Sequence, residues 1–135
     1  MIQVPGSYAN PIDDWTKKSE VEITAVVTGA VEDTRWLYVS SRQEMDCTLS
    51  AYYTGPLLAQ LSESAWNFIR VPTDWQYVIR AGNCKITAIS GDKANACVDI
   101  LESDEIAGVT FSSRVEYLLV KTESGWKIAG VEKHS

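Results

Sequence analysis

The sequence predicts an α+β domain, with N-terminal helices packed on one face of a curved antiparallel sheet of about four to six strands. Three observations lead there. Between residues 19 and 70 the apolar residues recur at three- and four-residue steps, the period of an amphipathic helix. Beyond Pro72 the period drops to two, as in half-buried strands. Near the end, Val115–Lys121 and Trp126–Val131 flank the polar connection Thr122-Glu123-Ser124-Gly125, a strong hairpin signal. Pairing Lys121 with Trp126 sets Leu119 opposite Ile128 and Tyr117 opposite Gly130. Tyr117, Leu119, Trp126 and Ile128 then share one face, because strand side chains alternate.

The remaining elements follow in order. Residues 1–14 are polar and broken by Pro5, Gly6 and Pro11, and residues 1–18 read as an irregular arm before a single domain over 19–135. Ser19 and Glu22 have the spacing of a capping box. Ile23, Val26, Val27, Ala30, Val31 and Leu37 put one apolar face on a helix reaching about Ser41. Gly29 weakens that helix by about 1 kcal/mol relative to Ala, and its place between Val26 and Val31 implies close packing or a bend. A second helix starts at Pro56, carries Leu57, Leu58, Leu61, Ala65, Phe68 and Ile69 on its stripe, and stops at Pro72. Trp66 and Phe68 are two positions apart and cannot be equally deep. Strands are expected near 74–81, 83–89, 94–103, 109–121 and 126–133, joined at Gly82-Asn83, Ser90-Gly91-Asp92 and Asp104–Gly108. Neither internal repeats nor a linker divides the chain.

At 135 residues the chain is long enough for one hydrophobic core without staples. Apolar residues make up 45% and charged residues 22%, ordinary for a globular domain. A net charge of −6, with the 12 Lys and Arg scattered, argues against nucleic acid and against anionic membrane surfaces. No run approaches the roughly 18 apolar residues of a membrane span, so no membrane insertion is expected. The start lacks a signal-peptide pattern. Two compartments remain open: cytoplasmic, or extracytoplasmic if a leader or anchor has been trimmed. Cys47, Cys84 and Cys97 show no metal spacing. If Cys84, Ile86 and Ala88 pair with Val98, Ala96 and Ala94, Cys97 points away from Cys84. A one-residue shift leaves the two diagonal, about 7 Å or more apart, at or beyond disulfide range. Free thiols are therefore expected.

Three stretches carry a family resemblance: Tyr53-Thr54-Gly55-Pro56-Leu57-Leu58, Ile86 to Ala94 leading into Val98, and Val115 to Lys121 through Gly125-Trp126-Lys127-Ile128. Over about residues 20–132 their order resembles the nuclear transport factor 2-like (NTF2-like) cone, whose members include ketosteroid isomerases and SnoaL-type polyketide cyclases. Within that superfamily the pieces look most like the C-terminal domain of cyanobacterial and plastid division proteins. The resemblance implies a cone with a pocket at its open end, and dimerisation through the outer sheet face. Leu118, Val120 and Val131, alternating with the core positions, are the residues expected at a homodimer contact.

Enzymes of the isomerase or cyclase type need an acid or base inside the cone. The only histidine, His134, is penultimate, where fraying is expected. Asp46, Asp99 and Glu116 are the carboxylates that could serve, although Asp99 and Glu116 fall on the face opposite the apolar one and Asp46 sits in no recognised motif. The aromatic residues are more informative. Trp36, Tyr53, Trp66, Trp75, Phe111, Tyr117 and Trp126 either line a concave ligand pocket or fill the wide end of the cone as core. Gly-rich phosphate loops and nucleophile elbows are missing, Glu102, Asp104 and Glu105 read as a solvated turn, and neither a cofactor nor a metal is expected. The function expected is non-enzymatic binding of a protein partner or small apolar ligand; the alternative is a small isomerase, cyclase or hydrolase using a cone carboxylate.

Overall fold

The computed structural model describes residues 11–71 and 77–134. Helix α1 spans Pro11–Glu32, a 3-10 turn covers Arg35–Tyr38, and helices α2 and α3 span Arg42–Leu49 and Gly55–Ile69. Strands β1 (Tyr77–Ser90), β2 (Lys93–Asp104), β3 (Val109–Thr122) and β4 (Gly125–His134) follow. They form one antiparallel sheet in the order β1-β2-β3-β4.

Helix α1 begins at Pro11, within the stretch 1–18 expected as an irregular arm, because proline is tolerated in a first helical turn and need not break one. Ser19 is consequently a buried residue inside the helix and not its cap. The helix also ends sooner. Its last backbone bond runs from Asp33 N to Gly29 O at 2.8 Å. The Asp33 carboxylate then accepts from the Arg35 backbone N–H at 3.0 Å, offering the chain an alternative to another helical turn. Helix α2 is an element the periodicity did not reveal. Ser41 caps it, accepting from Glu44 N at 3.0 Å, while Glu44 reaches back to Ser40 N at 2.8 Å.

The sheet curves at three irregularities. Gly82 and Asn83 together oppose Asp99, so the expected break between two strands is a bulge within the single strand β1. A second irregularity at Thr87 shifts Ala88 opposite Asn95, so only the Cys84–Val98 and Ile86–Ala96 pairs match the expected register. The third lies in β4: Lys121 faces Trp126 and Leu119 faces Ile128 as anticipated, but the extra Ala129 sets Tyr117 opposite Val131. Gly125, at φ 111°, makes the tight β3–β4 turn that L side chains resist.

The core lies between α1 and the concave face. Ile23, Val27 and Val31 pack on Ala96, Val98, Val115, Tyr117, Leu119, Trp126 and Ile128. Small Ala94 and Ala96 on β2 leave room for the helix. Trp126 is only 1% exposed, and its Nε1–H has no hydrogen-bond partner among the described residues. No helix is long and apolar enough to cross a membrane among the described residues.

Candidate functional site

A cavity of about 400 Å³ lies between the end of α1, the 3-10 turn, α2, α3 and β1. Trp36, Leu49, Tyr52, Tyr53, Leu61 and Phe68 wall it, with Ile79 of β1 at its base. The Trp36 and Phe68 rings meet at the rim, 5.9 Å apart and tilted by 56°. No Lys, Arg or His lines the cavity among the described residues.

Two tyrosines are fixed in this wall by their backbone. After α2 the chain makes a one-residue parallel bridge, Tyr53 beside Ile128. Ile128 N donates to Tyr52 O at 2.7 Å, and Thr54 N to Ile128 O at 2.9 Å. This short pairing on the β4 edge holds Tyr52 and Tyr53 against the core. Lys127 Nζ adds a bond to Ala51 O at 2.9 Å.

The polar part of the cavity wall is a three-residue latch. Tyr52 donates its phenol to Asp33 Oδ2 at 2.5 Å. Arg35 grips the same carboxylate with Nε at 2.9 and 3.0 Å and Nη2 at 2.5 Å. The Asp33 side chain is 13% exposed, while Arg35 projects into solvent. Hydrogen bonding from the Arg35 guanidinium holds the Asp33 carboxyl well below the usual carboxylate range; partial burial opposes this, and the Tyr52 phenol reinforces it. Burial, then the hydrogen bond to the Asp33 carboxylate, pushes the Tyr52 phenol upward. Gly29 makes the arrangement possible, since a Cβ there would overlap the Tyr52 ring.

Tyr53 and Tyr117 complete the phenol cluster. Burial raises both, most strongly Tyr53, whose hydroxyl also lies within electrostatic reach of Tyr117 and Tyr52.

The expected convergence of aromatic rings is only partly found. Trp36 and Tyr53 border the cavity. Tyr117 and Trp126 are core residues, as their place on the hairpin's inner face requires. Trp66 is half-buried on α3 but turned away from the lining, a position that Phe68 takes instead. Phe111, 58% exposed, stands on β3 opposite Glu102 and does not border the cavity. Trp75 lies outside the described residues. Sequence reasoning missed Tyr52, Asp33 and Phe68 as wall residues, and the close packing expected at Gly29 was the one signal pointing toward Tyr52.

None of the expected carboxylates borders the cavity. Asp46 is on α2, where Ser62 of α3 donates to it and Arg42 pairs with it at 3.2 Å. The Ser62 bond, aided by Arg42, keeps the Asp46 carboxyl below its ordinary range. Asp99 pairs with Arg114 at 3.1 Å across the sheet. Glu116 accepts from Asn95 Nδ2 at 2.7 Å. Both alternate with core residues and therefore occupy the outer face. The three cysteines are free, and no group of three or more His, Cys, Asp or Glu could hold a metal among the described residues.

Helices over one face of an antiparallel sheet are shared with solved structures. An NTF2-like protein with a cystatin-like fold from Novosphingobium aromaticivorans aligns over 95% of this chain and 90% of its own, at TM-score 0.61 and 13% identity. The fold is NTF2-like. The Kfla4162 protein from Kribbella flavida matches over 87% of this chain and 90% of its own, at TM-score 0.62 and 14% identity. The intermembrane space region of the chloroplast protein ARC6 aligns over 95% and 99%, at TM-score 0.48 and 13% identity. Likeness at this level extends to the NTF2-like fold alone. No family model matches the sequence, and no curated protein does either.

Proposed function

We propose that this NTF2-like domain is a non-enzymatic binding module that takes a small, largely apolar molecule into the cavity between α2, α3, the 3-10 turn and β1. The observation that carries the reading is the cavity itself. Its volume of about 400 Å³ falls in the about 300–1,000 Å³ range of small-molecule sites, and its walls are mostly aliphatic and aromatic with a few polar tips. An enzyme of the isomerase or cyclase type would need a carboxylate there that can pick up a proton near neutral pH. Asp33 is the cavity's only carboxylate among the described residues, and the Arg35 guanidinium commits it to the ionised, hydrogen-bonded state. A locked carboxylate positions Tyr52; it is a poor proton acceptor.

Titration with 2-acetonaphthone, followed by ligand-observed NMR, tests this reading. Binding to the wild type that is abolished by Ala65→Trp, which fills the cavity, supports it. Equal binding by both proteins contradicts it.

Self-association is a second reading, favoured by the outer sheet face. Leu118, 41% exposed, lies there beside half-buried Val120, whereas the extra Ala129 sets Val131 opposite Tyr117 and so turns it, against expectation, to the inner face. We place a homodimer contact on this patch. Sedimentation equilibrium distinguishes it from a monomer: a dimer mass that Leu118→Glu reduces to the monomer supports the contact, and a concentration-independent monomer mass refutes it.

A further inference from the structure

We infer that the open edge of β1 is a docking site for an extended, acid-bearing peptide segment of a partner protein, which joins the sheet as an added strand. The two edges of this sheet differ. At the β4 edge the chain supplies its own cover, because Ile128 N donates to Tyr52 O and Thr54 N to Ile128 O. No backbone segment covers the β1 edge among the described residues. Gly82, Asn83, Lys85, Thr87 and Ala88 are exposed along it. An edge strand left open presents N–H and C=O groups with which another chain can pair. One such donor is already in use: Ala81 N donates to Glu32 Oε2 at 2.9 Å. A carboxylate of the chain itself thus stands where a partner's carbonyl would bind.

Charge selects the partner. Strand β1 carries Arg80 and Lys85 and no Asp or Glu over its 14 residues, in a chain whose net charge is −6. Both cations are exposed, and neither makes an ion pair among the described residues. Asp99, the acid on the outer face of neighbouring β2, is held instead by Arg114 at 3.1 Å. Ile79, Ala81 and Cys84 pack toward the core, so alternation puts Arg80 and Lys85 together on the outer face. The bulge at Gly82-Asn83 sets them five residues apart on β1, but their β2 partners Leu101 and Cys97 are only four apart. A regular strand on the open edge would therefore meet both cations with acidic residues four positions apart on one face. A second copy of β1 fits worse. Laid antiparallel across the bulge, it would set Arg80 against Lys85, like charges directly opposite.

The probe is a capped threonine–valine peptide with two glutamates four positions apart, titrated at low ionic strength and followed through the protein's backbone amide shifts. Two control peptides carry lysines in place of the glutamates, or N-methyl groups on the backbone nitrogens of one edge. Shifts from the glutamate peptide are expected along β1 and not in the cavity wall. Arg80→Glu/Lys85→Glu should weaken binding about five-fold or more, the worth of two exposed ion pairs. Glu32→Ala, which frees the Ala81 N–H and removes a competing negative charge, should tighten it. Urea midpoints confirm that both variants are folded. The lysine and N-methylated peptides should each bind at least five-fold more weakly than the probe. No shift along β1, or an affinity unchanged in Arg80→Glu/Lys85→Glu, overturns the inference. Equal binding by the lysine peptide removes the acidic partner, and equal binding by the N-methylated peptide removes strand addition; either result overturns it. Shifts along β1 that grow with protein concentration in the absence of peptide would give the edge to a second copy and overturn it too.

Discussion

The Tyr52 phenol reaches Asp33 at 2.5 Å only because residue 29 has no side chain. Helix α1 accepts a glycine near its end, at a propensity loss of about 1 kcal/mol relative to alanine, and the vacated surface receives the Tyr52 ring. One small residue thus sets one wall of the cavity. In Gly29→Ala the added methyl would meet Tyr52 Cζ at 3.0 Å and overlap the adjacent ring carbon. We expect a net destabilisation of about 1–3 kcal/mol despite the better helix propensity, measured as a lower urea midpoint. Tyr52→Ala should restore part of the loss in Gly29→Ala, so the double mutant is less destabilised than the sum of the singles.

Asp33 makes stability depend on acid. Its carboxyl is held below the ordinary value of about 3.9, so the folded state binds that proton less readily than the unfolded chain. The contribution is complete above the unfolded value and disappears as pH falls through it toward the lower folded value. Urea midpoints taken from pH 6 down to pH 3 should drop more steeply for the wild type than for Asp33→Asn. Parallel profiles would mean the latch is too exposed to matter.

Trp126 separates packing from polar satisfaction. Trp126→Ala removes a fully buried indole and should cost about 3–5 kcal/mol. Trp126→Phe also removes the buried Nε1–H that lacks a partner, and losing that unsatisfied donor offsets part of the lost contact. The phenylalanine variant should therefore sit within about 1.5 kcal/mol of the wild type. Similar losses for the two variants would show that the indole is packed for shape alone.

The carboxylates on the outside provide a control. Asp46→Asn, Asp99→Asn and Glu116→Gln alter groups held by Arg42 and Ser62, by Arg114 and by Asn95. Each should leave 2-acetonaphthone affinity within about two-fold of the wild type, well under the tenfold that 1.4 kcal/mol represents. A larger loss from any one would return that carboxylate to the site.

Legibility in the sequence followed the physics of each element. The β3–β4 hairpin was readable because Leu119, Trp126 and Ile128 alternate strictly and Gly125 marks the turn. Slips in register came at Thr87 and Ala129, where one extra residue shifts the pairing without altering the local apolar pattern. Helix α2 escaped a periodicity search because eight mostly polar residues bury only Met45 and Leu49, yet its start was written in Ser41-Arg42-Gln43-Glu44, a capping-box spacing. The cavity was harder still. Aromatic content says that rings exist, but core and wall differ by which strand or helix face carries them. Phe111 and Tyr117 are on one strand and end in solvent and core respectively. Tyr52 took its role from Gly29 and Asp33, about 20 residues upstream, a pairing that only the folded chain brings together.

Everything proposed for the cavity depends on where a small apolar molecule goes. Intermolecular nuclear Overhauser effects in a complex with 2-acetonaphthone give that position directly. We predict contacts from the naphthyl protons to Trp36, Leu61 and Phe68. Contacts confined to Phe111, Leu118 or Val131 would contradict it.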